Sequence, residues 1–218
     1  MKQTTMDFIN SRVTPNLDAI DAQEEGLMSQ LLEEAGELGL LCSSIPESLG
    51  GMGMDFKTSM IITEGTGGGH SFAVSYSAHT GIVTLPILYY GNEAQKKKYI
   101  PGLASGKTKG AYCLTEPSSG SDAFALKCRA DKVEGGWRLN GTKLWITNGN
   151  ESTLFIVMAN IDFDKGYRGI TSFLVKKDTP GFTIGKKEDK LGIRASSTTE
   201  LIFEDCFIPD EDVLGEIG

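Results

Sequence analysis

The sequence is poor in the residues that build metal sites. It has only two histidines, His70 and His79, with no cysteine near either, which argues against a dedicated transition-metal centre. Its four cysteines, Cys42, Cys113, Cys128 and Cys206, lie far apart and form no C-x-x-C pair. That spacing excludes a zinc ribbon and a dense disulfide scaffold, and it fits a reducing compartment. No basic run exceeds Lys96-Lys97-Lys98, and 21 Lys and Arg stand against 29 Asp and Glu for a formal net charge of −8. Duplex nucleic acid and anionic membrane are poor partners for such a surface. No uninterrupted apolar stretch approaches the length of a membrane span, so an integral membrane segment is not expected. Met1 to Thr5 carries neither a signal-peptide core nor an Arg-rich transit pattern, and the expected location is cytoplasmic. Internal repeats and low-complexity tracts are also missing.

What remains is an ordinary globular composition, 39% hydrophobic and 23% charged over 218 residues, enough for two modest domains. The hydrophobic period changes near residue 108. Before it, Leu27, Met28, Leu31, Leu32, Ala35 and Leu38 recur at three and four, the stripe of an amphipathic helix. Asp55 is suited to cap a second helix through Ile62, a third run covers Ser71 to Tyr90 with Pro86 bending it, and Asn92 with Gln95 resembles a capping box for a helix that Pro101 ends. After Lys109 short strands follow at residues 153–160, 169–176 and 200–207. Asn140-Gly141 predicts a type I′ hairpin turn between strands at 137–139 and 142–145. The fold class is therefore α+β: an N-terminal all-helical domain over 1–107, then an antiparallel β-barrel or sandwich over 108–218.

Two glycine-rich stretches resemble nucleotide loops and fail on spacing. Three residues separate Gly102 from Gly106-Lys107-Thr108, where a P-loop needs four, so residues 101–108 read as a linker. Gly65 to His70 lacks the Rossmann spacing and a preceding strand, and reads as a helix-helix connection. Two other segments offer chemistry. Tyr112 to Asp122 runs from a strand into a turn dense in hydroxyls, with Gly120 free to take positive φ, an arrangement that can aim N–H groups at an anion. In Leu144-Trp145-Ile146-Thr147-Asn148-Gly149 a Trp and a Thr stand two apart on one strand face, and a planar aromatic beside a hydroxyl suits a planar cofactor ring. His79 reads as a hydrogen-bonded structural residue.

Together these two segments resemble the acyl-CoA dehydrogenase family: 111–122 is similar to its first signature and 142–149 to its W-I-[ST]-N-G flavin segment. The similarity extends through Gly36 to Gly51, Tyr90 to Pro101 and Lys190 to Thr198, nearly the whole chain. It implies an FAD-dependent oxidoreductase that desaturates a fatty acyl-CoA in β-oxidation, with an electron-transfer flavoprotein as acceptor and a homo-oligomer when full length. By resemblance, backbone groups of Tyr112, Leu114 and Thr115 bond the flavin pyrimidine edge. Trp145, Ile146 and Thr147 meet the ring, Trp145 packing on it and Thr147 reaching N5, while Gly120 and Ser121 serve the pyrophosphate or the substrate's pantetheine arm. The family's catalytic glutamate belongs to a C-terminal helical bundle expected beyond Gly218. No catalytic residue is expected within the chain, which alone should be inactive. Glu116 and Asp122 are read as carboxylates that fix turns and not as the base. Rival readings are an acyl-CoA oxidase or nitroalkane-oxidase-like flavoenzyme, or a non-catalytic flavin-binding, acyl-CoA-binding or protein-interaction module.

Overall fold

The computed structural model describes residues 1–218 and divides into two compact units. The helical unit comprises Met1–Tyr89, Glu93–Lys109 and Asp189–Ser196. Its α-helices are α1 (Lys2–Phe8), α2 (Leu17–Asp21), α3 (Leu27–Glu37), α4 (Phe56–Thr66), α5 (Ser71–Ser77), α6 (Leu85–Tyr90) and α7 (Glu93–Ala104). The apolar stripe of α3 does what its spacing implies: Met28, Leu31, Leu32 and Ala35 are buried in the unit's core beside Phe8 and Phe72. Asp55 caps α4, its side chain accepting from the Thr58 N–H.

Between α5 and α6 the chain stays helical but widens to a π-helical turn over Ala78–Thr84, just before Pro86. This turn carries His79 into the interior, where it is fully buried with Nε2 2.9 Å from the Leu103 carbonyl oxygen. Burial, chiefly, pushes its pKa down to about 4. A folded-state pKa below the unfolded value makes His79 favour folding above pH ~6.5, and the contribution is lost as pH falls toward 4. A loss of about 3 kcal/mol across that window is expected in urea titrations. In His79→Gln the part of the pH slope between 6.5 and 4 should flatten, and an unchanged slope would show that this imidazole is not held neutral.

Two differences from the sequence reading fall here. Helix α7 runs through Pro101 to Ala104 instead of ending there. Pro101 removes one donor only, and Lys97, whose carbonyl loses it, is exposed and open to water. Residues 101–108 consequently belong to the packed end of α7, with the Thr108 N–H donating to Gly102 O at 3.0 Å, and are not a free linker. The second difference is that Asp189–Ser196 groups with the helices. Ala195 joins the helical core, and its N–H reaches the Ser71 hydroxyl at 3.3 Å.

The β unit holds eight strands: β1 (Gly110–Cys113), β2 (Arg129–Val133), β3 (Gly136–Thr147), β4 (Leu154–Asn160), β5 (Ile170–Lys176), β6 (Phe182–Lys187), β7 (Thr198–Pro209) and β8 (Val213–Leu214). Their order is β6-β7-β3-β2-β4-β5-β8, with β1 also on β4. Pairing is mostly antiparallel; β1 and β2 each run parallel to β4. Phe155 of β4 meets Phe182 of β6 at 4.7 Å between ring centroids, and Trp137 of β3 meets Phe173 of β5 at 5.8 Å. Strands distant in the order touch, so the sheet curls around one interior.

The expected hairpin turn at Asn140-Gly141 does not form. Strand β3 continues through both residues, between β2 and β7. The two-residue turn lies earlier, at Glu134-Gly135, where Gly135 has φ +73°. Asn140 instead serves a bulge in β7: its side chain accepts from the Asp205 N–H at 2.8 Å and donates to the Asp205 carboxylate at 3.2 Å, with Asp205 at φ +49°. At Gly141 an added Cβ would lie 2.8 Å from Cys128 Cα, so the glycine serves close strand approach and not a turn.

Candidate functional site

All of the residues expected at the cofactor lie in the β unit. Strand β1 pairs with β4 as far as Cys113↔Val157, so Leu114 and Thr115 run on past the ladder. The chain then folds into a tight turn, with the Glu116 N–H donating to Ser119 O at 2.8 Å and the Ser119 N–H returning to Glu116 O at 3.2 Å. The Ser119 hydroxyl bonds Asp122 O at 2.8 Å. Gly120 and Ser121 are exposed, and Gly120 is outside the left-handed region, contrary to the expectation of positive φ there.

At the end of β3 the second segment is bent by a bulge, the register with β7 slipping between Lys143↔Leu201 and Ile146↔Thr199. Trp145 occupies this bulge at φ +59°, uncommon for a bulky residue, and the residue is left 58% exposed. Ile146 turns its side chain into the core and Thr147 is half-buried on the outer side, so Trp145 and Thr147 flank an inward residue as the alternation predicts. Only the main chain of Ile146 remains available to a ligand.

The structure joins the two segments directly. The Leu144 N–H donates to Thr115 O at 2.8 Å. Beside that bond lies a buried ion pair that sequence reasoning missed. Lys143, with a side chain 0% exposed, places Nζ 2.6 Å from Glu116 Oε1 and 3.1 Å from Leu114 O. The Glu116 carboxylate also accepts the N–H of Lys127 at 2.5 Å and of Cys128 at 2.9 Å. Nearby, burial raises the Cys128 thiol to about 11 and the Cys113 thiol further, against a lowering influence of the Lys143 charge. Both thiols stay protonated and inert at neutral pH.

Thus Leu114, Thr115, Leu144 and, through chain continuity, Trp145 and Thr147 form one neighbourhood. Tyr112 leads into it half-buried from β1. Gly120 and Ser121 lie past the 116–119 turn, and no hydrogen bond ties them to Trp145 or Thr147. Glu116 is engaged by three donors and is unsuited to take a proton from a substrate. Its role differs from the expectation in one respect: it anchors the returning strand at Lys127-Cys128 and the ammonium of Lys143, not the turn's own N–H groups. Asp122 is exposed.

This architecture, a helical unit and a curled, mostly antiparallel β unit, is shared with solved acyl-CoA dehydrogenases. It superposes on a crystal structure of an acyl-CoA dehydrogenase complexed with FAD from Bacillus anthracis with a TM-score of 0.95 and 45% identity, covering 100% of this chain and 37% of that one. Residues 1–107 match the family model for the acyl-CoA dehydrogenase N-terminal domain and residues 111–206 that for the middle domain. The chain belongs to the acyl-CoA dehydrogenase family, a family of FAD-dependent enzymes. Among curated relatives, a probable acyl-CoA dehydrogenase of Bacillus subtilis is 46% identical over 99% of this chain and 36% of its own length. An acyl-CoA dehydrogenase of the same organism is 43% identical over 100% of this chain and 58% of its own. The chain thus spans about a third to three-fifths of the relatives it matches. No helix is long and apolar enough to cross a membrane.

Proposed function

We propose that this chain forms the flavin side of an FAD-dependent acyl-CoA dehydrogenase that desaturates a fatty acyl-CoA between its α and β carbons, in lipid oxidation. The observation that carries this reading is the union of the 112–122 and 142–149 segments, by the Leu144–Thr115 bond and the Lys143–Glu116 pair, at the point where Trp145 leaves its ring exposed.

The residues suit FAD in kind. A free aromatic face, a neighbouring threonine hydroxyl, backbone beyond a strand ladder and an open, hydroxyl-rich turn match a planar ring with a polar edge and an anionic tail. A bound flavin would supply the acceptor for the hydride lost from the β-carbon. The chain's part is to hold and orient: backbone of Tyr112, Leu114 and Thr115 at the pyrimidine edge, Trp145 packed on the ring and excluding water from it, Ile146 through its main chain, Thr147 at N5. Gly120 and Ser121 would meet the pyrophosphate or the pantetheine arm. Removal of the α-proton needs a positioned base, and with Glu116 engaged and Asp122 exposed, the proposal places that base in the full-length protein outside residues 1–218. An electron-transfer flavoprotein as acceptor, a homo-oligomeric state and a cytoplasmic location belong to the same reading.

Anaerobic addition of saturated acyl-CoA substrates to the FAD-loaded full-length protein should bleach the flavin, with little oxygen consumed in aerobic turnover. The 218-residue chain alone should neither hold FAD tightly nor bleach it. Absence of bleaching in the full-length protein across chain lengths would overturn the reading. Bleaching by the chain alone at a comparable rate would show that the base lies within it.

A further inference from the structure

Lys143 is the largest charged side chain wholly removed from solvent, and its ammonium has two engagements of different character. One is the Glu116 carboxylate, at 2.6 Å; the other is Leu114 O, at 3.1 Å. The second matters for chemistry, because Leu114 C=O and Thr115 N–H are the two ends of one peptide group. A cation bonded to the oxygen withdraws electron density through the amide and makes its N–H a stronger donor, an effect enlarged in a low-dielectric interior. The far residue of that peptide is held in turn, since Thr115 O accepts from the Leu144 N–H directly after Lys143.

We infer that Lys143 is a positioning residue whose buried ammonium polarises the Leu114–Thr115 peptide toward the flavin, while Glu116 fixes the ammonium and moderates its charge. This rests on the flavin reading above. Negative charge gathers on the pyrimidine edge when the flavin is reduced, so a stronger donor there favours the reduced over the oxidised cofactor. The pair therefore acts on the ratio of affinities for the two redox states and not only on the stability of the β unit. The bulge at Leu144-Trp145 separates the two roles: alternation from the buried Trp137 and Leu139 puts Lys143 inward, and the slip in register after it turns Trp145 outward.

Two variants of the full-length protein give opposite signs. Lys143→Met combined with Glu116→Gln removes both charges with little change of volume. It should lower the preference for reduced over oxidised FAD about tenfold, a fall of about 30 mV in the two-electron midpoint potential measured by dye equilibration. Glu116→Gln alone keeps the ammonium on Leu114 O without its counter-charge and should move the potential upward. A purely structural clamp would loosen FAD in both variants without splitting their potentials. Equal potentials in wild type and both variants, with FAD bound in each, would overturn the inference and leave the functional reading standing. If the wild-type full-length protein bound no FAD, both would fall together.

Discussion

Replacing Glu116 with Ala should destabilise the β unit by about 3–5 kcal/mol, seen as a large drop in the urea midpoint of its unfolding. The carboxylate is the counter-charge of an ammonium with no solvent exposure, and it is also the acceptor for the backbone N–H groups of Lys127 and Cys128. Alanine leaves one charge and two donors without those partners, in a place where water cannot substitute. Removing both charges is a different matter. In the Lys143→Met, Glu116→Gln double variant most of the loss should return, because a buried pair contributes little net stability over an uncharged pair of similar volume. A loss under about 1 kcal/mol in Glu116→Ala, the range of an exposed pair, would show that the ammonium reaches solvent or another acceptor.

Trp145→Gly should separate binding from stability. The residue is 58% exposed, so truncating its side chain removes little core packing, and its φ of +59° is a conformation that glycine adopts without steric cost. The variant should therefore be as stable as the parent or firmer, by up to about 1–2 kcal/mol of relieved backbone strain. FAD affinity of the full-length protein should nevertheless weaken by at least about tenfold, roughly 1.4 kcal/mol, the scale of one lost aromatic ring contact. Unchanged FAD affinity would remove Trp145 from the cofactor site. A marked fall in stability would show that its ring packs as core.

The parts of this molecule that depend on local chemistry were legible from the chain. The Asp55 cap, the helix stripe of Leu31 and Leu32, and the strands near 154–160 and 170–176 are set by neighbours a few residues away. Asn140-Gly141 misled for the opposite reason. Turn propensity describes a chain free to reverse, whereas β3 is held from both sides by β2 and β7, and the side chain of Asn140 is engaged by Asp205, 65 residues away. Lys143 was hidden twice over. Its partner lies 27 residues earlier, and the bulge after it puts Trp145, two residues on, on the opposite face, so period-two counting from the exposed Trp145 assigns the lysine to the wrong side. The short run from Trp145 to Thr147 carries a recognisable pattern, but the ion pair that ties it to the 112–122 segment has no sequence signature of its own.

The most direct test of the account is a crystal structure of the full-length protein with FAD bound. The isoalloxazine should lie in van der Waals contact with the Trp145 ring, about 3.5–4 Å away, with its pyrimidine edge at the Leu114–Thr115 backbone and the Lys143 ammonium behind that peptide. A flavin seated elsewhere, with Trp145 and Thr115 facing solvent or another part of the protein, would contradict the site described here.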